Sequence, residues 1–238
     1  MIPIIKDSNP NTICITGDIV ETSKDDHTCV LKSIEEVSSL YRTYYVPGNH
    51  DESYKNKRWK HDKNWKLHCD LKKIGIKLLE TGIPVVDNDT NVCFNGYNIP
   101  YEYYNDQNQD KFQELYNLNI HEETNDHYNI LLTHVDKLKR TRNELVLSGH
   151  FHNGVIKLPF NAGLIRPGNG IFPFSPIQLG AHGVIKRYNS IHIINGALSK
   201  VRSNFVNTIL HPDLVVIDLV PYPVNNQIIN KEIVYKKI

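Results

Sequence analysis

The sequence predicts an α/β fold whose buried strands deliver polar side chains to one end of a sheet. Three observations carry this prediction. Four short apolar, β-rich runs each stop abruptly at Asp, Asn or His. Helical spacing fills intervals between such runs, giving at least one β-α-β unit. Beyond Gly154, Pro and Gly are frequent and the remaining apolar segments are short, so the second half reads as mostly β.

In chain order, Thr12-Ile13-Cys14-Ile15-Thr16 is a buried strand running into Gly17-Asp18. Asp25 to Leu40 has helical spacing, with Val30, Ile34, Val37 and Leu40 on one stripe and Asp25 or Asp26 as N-cap. Tyr41 to Val46 is the next strand, turning through Pro47-Gly48 into Asn49-His50-Asp51. A second helix is expected over Asp62 to Ile74, then short strands at Ile76 to Leu79, Ile83 to Asp87 and Asn91 to Tyr97. Gln109 to Leu118 reads as a helix. Asn129 to Thr133 is a strand that stops at His134, and Glu144 to Ser148 one that stops at Gly149-His150-Phe151-His152. Strands are also expected near Gly183 to Arg187, Ile191 to Ile194, Leu214 to Val220 and Ile228 to Tyr235. With no internal repeat or linker, residues 1–238 read as a single domain.

Composition sets the bounds. The chain has 238 residues, 40% of them hydrophobic, enough to bury a substantial core. Its 27 basic and 26 acidic residues leave a net charge of +1, so no global field draws it to nucleic acid or an anionic membrane. Cys14, Cys29, Cys69 and Cys93 show no C-x-x-C spacing and are expected to be reduced thiols, Cys14 buried in its apolar run. No window approaches the roughly 18 apolar residues of a membrane span, and the chain as written reads as cytoplasmic.

The ends of the four strands carry the chemistry. In layered α/β folds ligands lie beyond the carboxyl ends of strands, so four ends bearing Asp, Asn or His can converge on one site. Gly17, Gly48 and Gly149 precede the polar residue in three cases, where a residue without Cβ lets the chain turn sharply. One such end is an ordinary turn; four repeats of the arrangement favour a metal site.

Gly17-Asp18, Gly48-Asn49-His50-Asp51, the lone His134 and Gly149-His150-Phe151-His152, in this order, resemble the motifs of the calcineurin-like metallophosphoesterases. Leu158-Pro159-Phe160 through Gly170-Ile171-Phe172-Pro173 resembles a loop of one bacterial branch. The resemblance implies a four-layer α/β/β/α sandwich and a phosphatase or phosphodiesterase using two divalent metal ions of the Mn, Fe or Zn class. It implies that Asp18 bridges the metals, that Asn49, His134 and His150 complete the second site, and that His152 points at the first. His50 is implied as the group that stabilises or protonates the departing oxygen, with Asp51 helping to hold it charged.

One motif departs from the pattern. The family places a strand ending in D-x-H upstream of G-D, whereas Asp7 here is followed by Ser8 and Asn9, so the first metal site has only Asp18 and His152. Met1 to Asn11 resembles the tail of the helix that follows that strand, and the resemblance then implies either an N-terminal truncation, with membrane association or export if the missing segment carries an anchor or signal, or a natural variant that has lost the motif. Three functions stay open: a two-metal phosphoesterase, a single-metal hydrolase using the second site, and a binding scaffold that no longer catalyses. Retention of His50 argues against the scaffold.

Other candidates are weaker. Lys55 to Lys66, with Trp59 and Trp65, reads either as a grip for an anionic lipid headgroup, giving peripheral membrane association, or for a nucleic acid backbone, or as a solvated insertion. His61, His68, His121, His127, His192 and His211 are expected at the surface, and His182 is a weak candidate for the cleft wall. Gly17-Asp18-Ile19-Val20-Glu21 lacks the Arg of protein serine/threonine phosphatases, and Asn153 departs from the bacterial-branch pattern. No substrate is transferred.

Overall fold

The computed structural model describes residues 2–20, 27–51, 65–98, 103, 109–120, 126–152, 157–166, 170–171, 180–196, 198, 213–220 and 236–237. Asp25, Asp26, Lys55, Trp59, His61, His121, Asn153, Phe172, Pro173, His211 and the expected strand Ile228 to Tyr235 lie outside the described residues, as does the start of the helix expected from Asp62.

The first half builds a parallel sheet with helices against it. Helix α1 (Ile2–Ser8) leads into β1 (Thr12–Ile15), α2 (Thr28–Ser38), β2 (Arg42–Tyr45), α3 (Trp65–Lys73) and β3 (Lys77–Leu78). These strands form a three-stranded sheet in the order β1-β2-β3, both pairings parallel. β1 is its edge: among the described residues no strand pairs with its other side, and all four of its residues are half-exposed.

A larger mixed sheet follows. It contains β4 (Val85–Asp87), β5 (Val92–Tyr97), β6 (Tyr128–Thr133), β7 (Leu145–Ser148), β12 (Gly183–Arg187) and β13 (Ser190–Ile194), in the order β12-β13-β7-β6-β5-β4. Helix α4 (Gln109–Asn119) joins β5 to β6. β5, β6, β7 and β13 are mutually parallel, so their carboxyl ends lie along one edge, while β4 and β12 run antiparallel at the margins. Short antiparallel pairs complete the described chain: β8 (Lys157–Leu158) with β9 (Ala162–Gly163), β10 (Ile165–Arg166) with β11 (Gly170–Ile171), and β14 (Val215–Val216) with β15 (Lys236–Lys237).

The period-2 alternation of strands sorts side chains into three apolar clusters. Tyr44 and Val46 face Phe94, Ile130, Leu132, Leu145, Leu147 and Ile193 in a core between the two sheets. Tyr45, one residue along, points the other way and packs with Leu67 and Leu71 of α3 and Val30, Leu31 and Ile34 of α2. On the large sheet, Leu131 and Val146 alternate out of the inter-sheet core to meet Phe112 and Tyr116 of α4. The chain is thus a mixed α/β fold with both sheets covered. Arg42 at the foot of β2 pairs with Asp87 and Asp89, tying the small sheet to the margin of the large one.

Four expectations are corrected. Leu40 is 57% exposed, because α2 ends at Ser38 and Leu40 falls in the following turn, off the helical stripe. Helix α2 starts at Thr28 after His27, which makes no side-chain cap bond. His192 is fully buried, bonded through Nδ1 to Asp136 Oδ2 at 2.8 Å, and His68 and His127 are half-buried. The strand expected over Leu214 to Val220 shortens to Val215–Val216. Among the described residues no helix is long and apolar enough to cross a membrane.

Candidate metal centre

Four strand ends meet at one place. β1 delivers Asp18, β2 delivers Asn49, His50 and Asp51, β6 delivers His134, and β7 delivers His150 and His152. Parallel pairing puts the ends of β6 and β7 side by side, and the N–H groups of Gly149 and His150 donate to His134 O at 3.2 and 3.1 Å. The two sheets meet through backbone as well: His134 Nδ1–H donates to Thr16 O, at the end of β1, at 2.6 Å.

Close approach explains two of the glycines. Gly17 has φ +90°, and a Cβ there would lie 2.5 Å from Gly48 N and 2.7 Å from His134 Nδ1. A Cβ on Gly48 would lie 2.2 Å from Asp18 Oδ1. Asp18 itself has φ +56°, a left-handed conformation sparsely populated by residues with a Cβ and frequent at functional sites.

Within this frame the donor atoms converge. Asp18 Oδ2 lies 3.1 Å from His134 Nε2, Asn49 Oδ1 lies 3.2 Å from it, and His150 Nδ1 lies 3.1 Å from it. Asp18, His134 and His150 each place a ligand atom within 4.8 Å of the other two. His152, in a left-handed turn at φ +47°, lies outside that tight group, although its charge acts on His150.

The chemistry of this set fits a divalent cation. Because Nδ1 of His134 donates to Thr16 O, its Nε2 is left to face a carboxylate oxygen, an amide oxygen and an imidazole nitrogen. Those are four lone-pair donors aimed together. They repel unless a proton or cation lies among them, and nitrogen and oxygen donors without thiolate suit Mn, Fe or Zn.

The protonation pattern follows the same geometry. Burial opposes ionisation of Asp18, but the attraction and hydrogen bond of His134, with help from His50, hold its carboxyl well below the usual range. Burial opposes charge on His134 too, yet Asp18 outweighs it and raises the imidazole above its ordinary value. His150 goes the other way: burial first, then repulsion from His134, push it well below, so it stays neutral.

Asp51 is buried beneath the site. Its carboxylate accepts from the N–H of Val20 at 3.1 Å, the N–H of Gly48 at 2.9 Å and the Tyr45 hydroxyl at 2.8 Å. Burial and then the charge of Asp18 raise its pKa against those bonds. It therefore pins the turn carrying Asn49 and His50 to the segment after β1. The half-buried His50 sends its backbone N–H to Asp18 Oδ1 at 2.9 Å, leaving Oδ2 to the centre.

His182 makes no such contribution: its Nε2–H is shared between Leu158 O at 3.2 Å and Ala162 O at 3.1 Å, holding the β8–β9 hairpin to β12. Residues that motif reading missed include Thr16, whose carbonyl sets the His134 tautomer, and Asp136, whose only sequence signal is its place two residues after His134.

A family model for calcineurin-like phosphoesterases matches residues 1–154. The chain belongs to that family, whose chemistry is metal-dependent hydrolysis of phosphoesters. No curated protein matches the chain.

Proposed function

We propose that this chain hydrolyses a phosphate monoester or diester at the centre formed by Asp18, Asn49, His134 and His150. The observation that carries the reading is the convergence of these four donors around His134 Nε2. A divalent cation bound there draws charge from the phosphoryl oxygens and lowers the pKa of a water.

The chain's own residues do the rest. Asp18, kept ionised, supplies Oδ2 while His50 N–H holds Oδ1. His134 and His150 offer imidazole nitrogens, and Asn49 a neutral oxygen. His152 is the donor available to a second cation beside Asp18. His50 is the group that stabilises or protonates the departing oxygen, and Asp51 positions His50 by pinning the turn between β2 and that residue. General acid assistance of this kind is worth about 10²- to 10⁴-fold.

The test is to load the protein with Mn, remove free ion, and measure retained metal together with hydrolysis of p-nitrophenyl phosphate and bis-p-nitrophenyl phosphate. We expect retained Mn and Mn-dependent turnover of at least one ester, both lost in His134→Ala and His150→Ala. One ion per chain assigns the work to the four-donor position alone; two assign a second through Asp18 and His152. No retained metal, or turnover unchanged in both variants, rejects the reading.

A further inference from the structure

β6 and β7 are parallel neighbours, so the chain leaving Thr133 must travel back along the sheet before β7 starts at Leu145. Proteins usually give such a crossover to a helix. Residues 134–144 make it without one. Its shape is therefore set by what it is tied to: the N–H groups of Lys139 and Arg140 donate to Gln113 Oε1 of α4 at 2.9 Å, while Asp136, nearer His134, is tied to the β12–β13 hairpin.

The first tie is a buried ionic group. Asp136, whose side chain is fully buried, accepts from Arg187 Nη1 at 2.8 Å and from His192 Nδ1 at 2.8 Å on the same oxygen. Its other oxygen takes the N–H of Leu138 at 3.3 Å, and Arg187 also donates to Leu138 O at 3.0 Å. Farther along, the Arg140 guanidinium lies 4.4 Å over the Tyr188 ring, and the Ser190 hydroxyl donates to Asn143 O at 2.7 Å. His192 is paired in register with Val146 of β7, so its ring stands on the face where Val146, Val135 and Leu138 pack.

A buried ion pair adds little net stability, because desolvation offsets its attraction; fixing one geometry is a better account of its presence. The geometry at stake here is two residues away. His134 must keep Nδ1–H on Thr16 O and Nε2 toward Asp18, and the segment that leaves it is clamped at Asp136.

We propose that Asp136, His192 and Arg187 are a positioning group for His134, so that a hairpin beyond the matched residues 1–154 sets the register of the metal centre. This rests on His134 being a metal ligand, and the first readout below uses no metal, so failure of the two readings is distinguishable.

In metal-free protein, nitrogen-correlated proton spectra of the histidine rings report the His134 Nδ1–H bonded to Thr16 O. His192→Leu removes the donor to Asp136, whereas the side-chain amide of His192→Asn restores one where Nδ1–H was. We expect the protected ring proton in the parent and in His192→Asn, and its loss in a His192→Leu protein that still melts cooperatively. Arg187→Met, at a partly exposed position, is the second variant should His192→Leu not fold, with the same loss expected. Calorimetric Mn affinity should fall about tenfold in His192→Leu and recover to within about threefold of the parent in His192→Asn. A parent that takes up no Mn overturns the functional reading and leaves the ring proton to decide this one. A ring proton retained in His192→Leu or Arg187→Met overturns the positioning group, as does Mn affinity unchanged in a folded variant.

Discussion

Asp18 Oδ2, on the turn after β1, stands 3.1 Å from His134 Nε2, at the end of β6, and so helps to join the two sheets at the candidate metal centre. In metal-free protein a proton on His134 occupies that contact. Asp18 is depressed on folding, so its contribution to stability is present above about pH 3.9 and lost as pH falls through its folded value. His134 is raised, so its contribution is complete below about pH 6.5 and lost as pH rises through its folded value. The pair therefore stabilises metal-free protein most between about pH 4 and 6.5. A cation must displace the proton, whereas His150, held neutral, adds no competition. Saturating Mn should accordingly raise the melting temperature more at pH 8 than at pH 6, read by scanning calorimetry at both. Equal shifts would show that no proton leaves His134 on binding.

Replacing His50 by Ala should lower kcat by about 10²- to 10⁴-fold while retained Mn stays at the parent level. Elemental analysis beside turnover separates the two quantities. Metal lost with activity would make His50 a ligand.

Gly48→Ala drives a Cβ to 2.2 Å from Asp18 Oδ1, so either the turn after β2 or the Asp18 carboxylate must shift. The overpacking should cost about 1–3 kcal/mol in denaturant unfolding. Mn affinity should fall with it, because the displaced oxygen belongs to a proposed ligand. Parent-like affinity in calorimetry would mean that the turn gives way without disturbing the centre.

Asp51→Ala leaves the N–H groups of Val20 and Gly48 and the Tyr45 hydroxyl without their shared acceptor. Urea unfolding should show a loss of about 3 kcal/mol, against about 1 kcal/mol for Tyr45→Phe, which removes only one of the three bonds. A loss in Asp51→Ala no larger than in Tyr45→Phe would show that the carboxylate does not pin the turn.

Cys29 and Cys69 are exposed and Cys93 is fully buried, while Cys14, a half-exposed residue of β1, packs its thiol against the inter-sheet core, where burial pushes it up to about 12. Native alkylation followed by peptide mass spectrometry should therefore modify Cys29 and Cys69 and spare the other two, since the thiolate is the reactive form. Rapid labelling of Cys14 would show that β1 opens readily.

Much of this was legible in the chain because its signals are local. Thr12 to Thr16 is one apolar run and Gly17-Asp18 its immediate stop, so a strand and the ligand at its end were read together, as they were at His134 and His150. The parity that sends Tyr44 into the inter-sheet core and Tyr45 toward α2 and α3 is also a property of adjacent residues. Leu40 misled because helical spacing continues on paper past Ser38, where the helix stops.

By itself, then, the sequence determined the class of fold and the order of its strands along the chain, and it singled out Asp18, Asn49, His134 and His150 as candidate metal donors. Only the tertiary structure decided which atoms of those side chains face one another, that Thr16 O selects the His134 tautomer across 118 residues, and that His192 is a buried partner of Asp136, 56 residues away, rather than a surface histidine. The reason is that a hydrogen bond depends on distance in space, whereas periodicity and motif spacing report only neighbours along the chain.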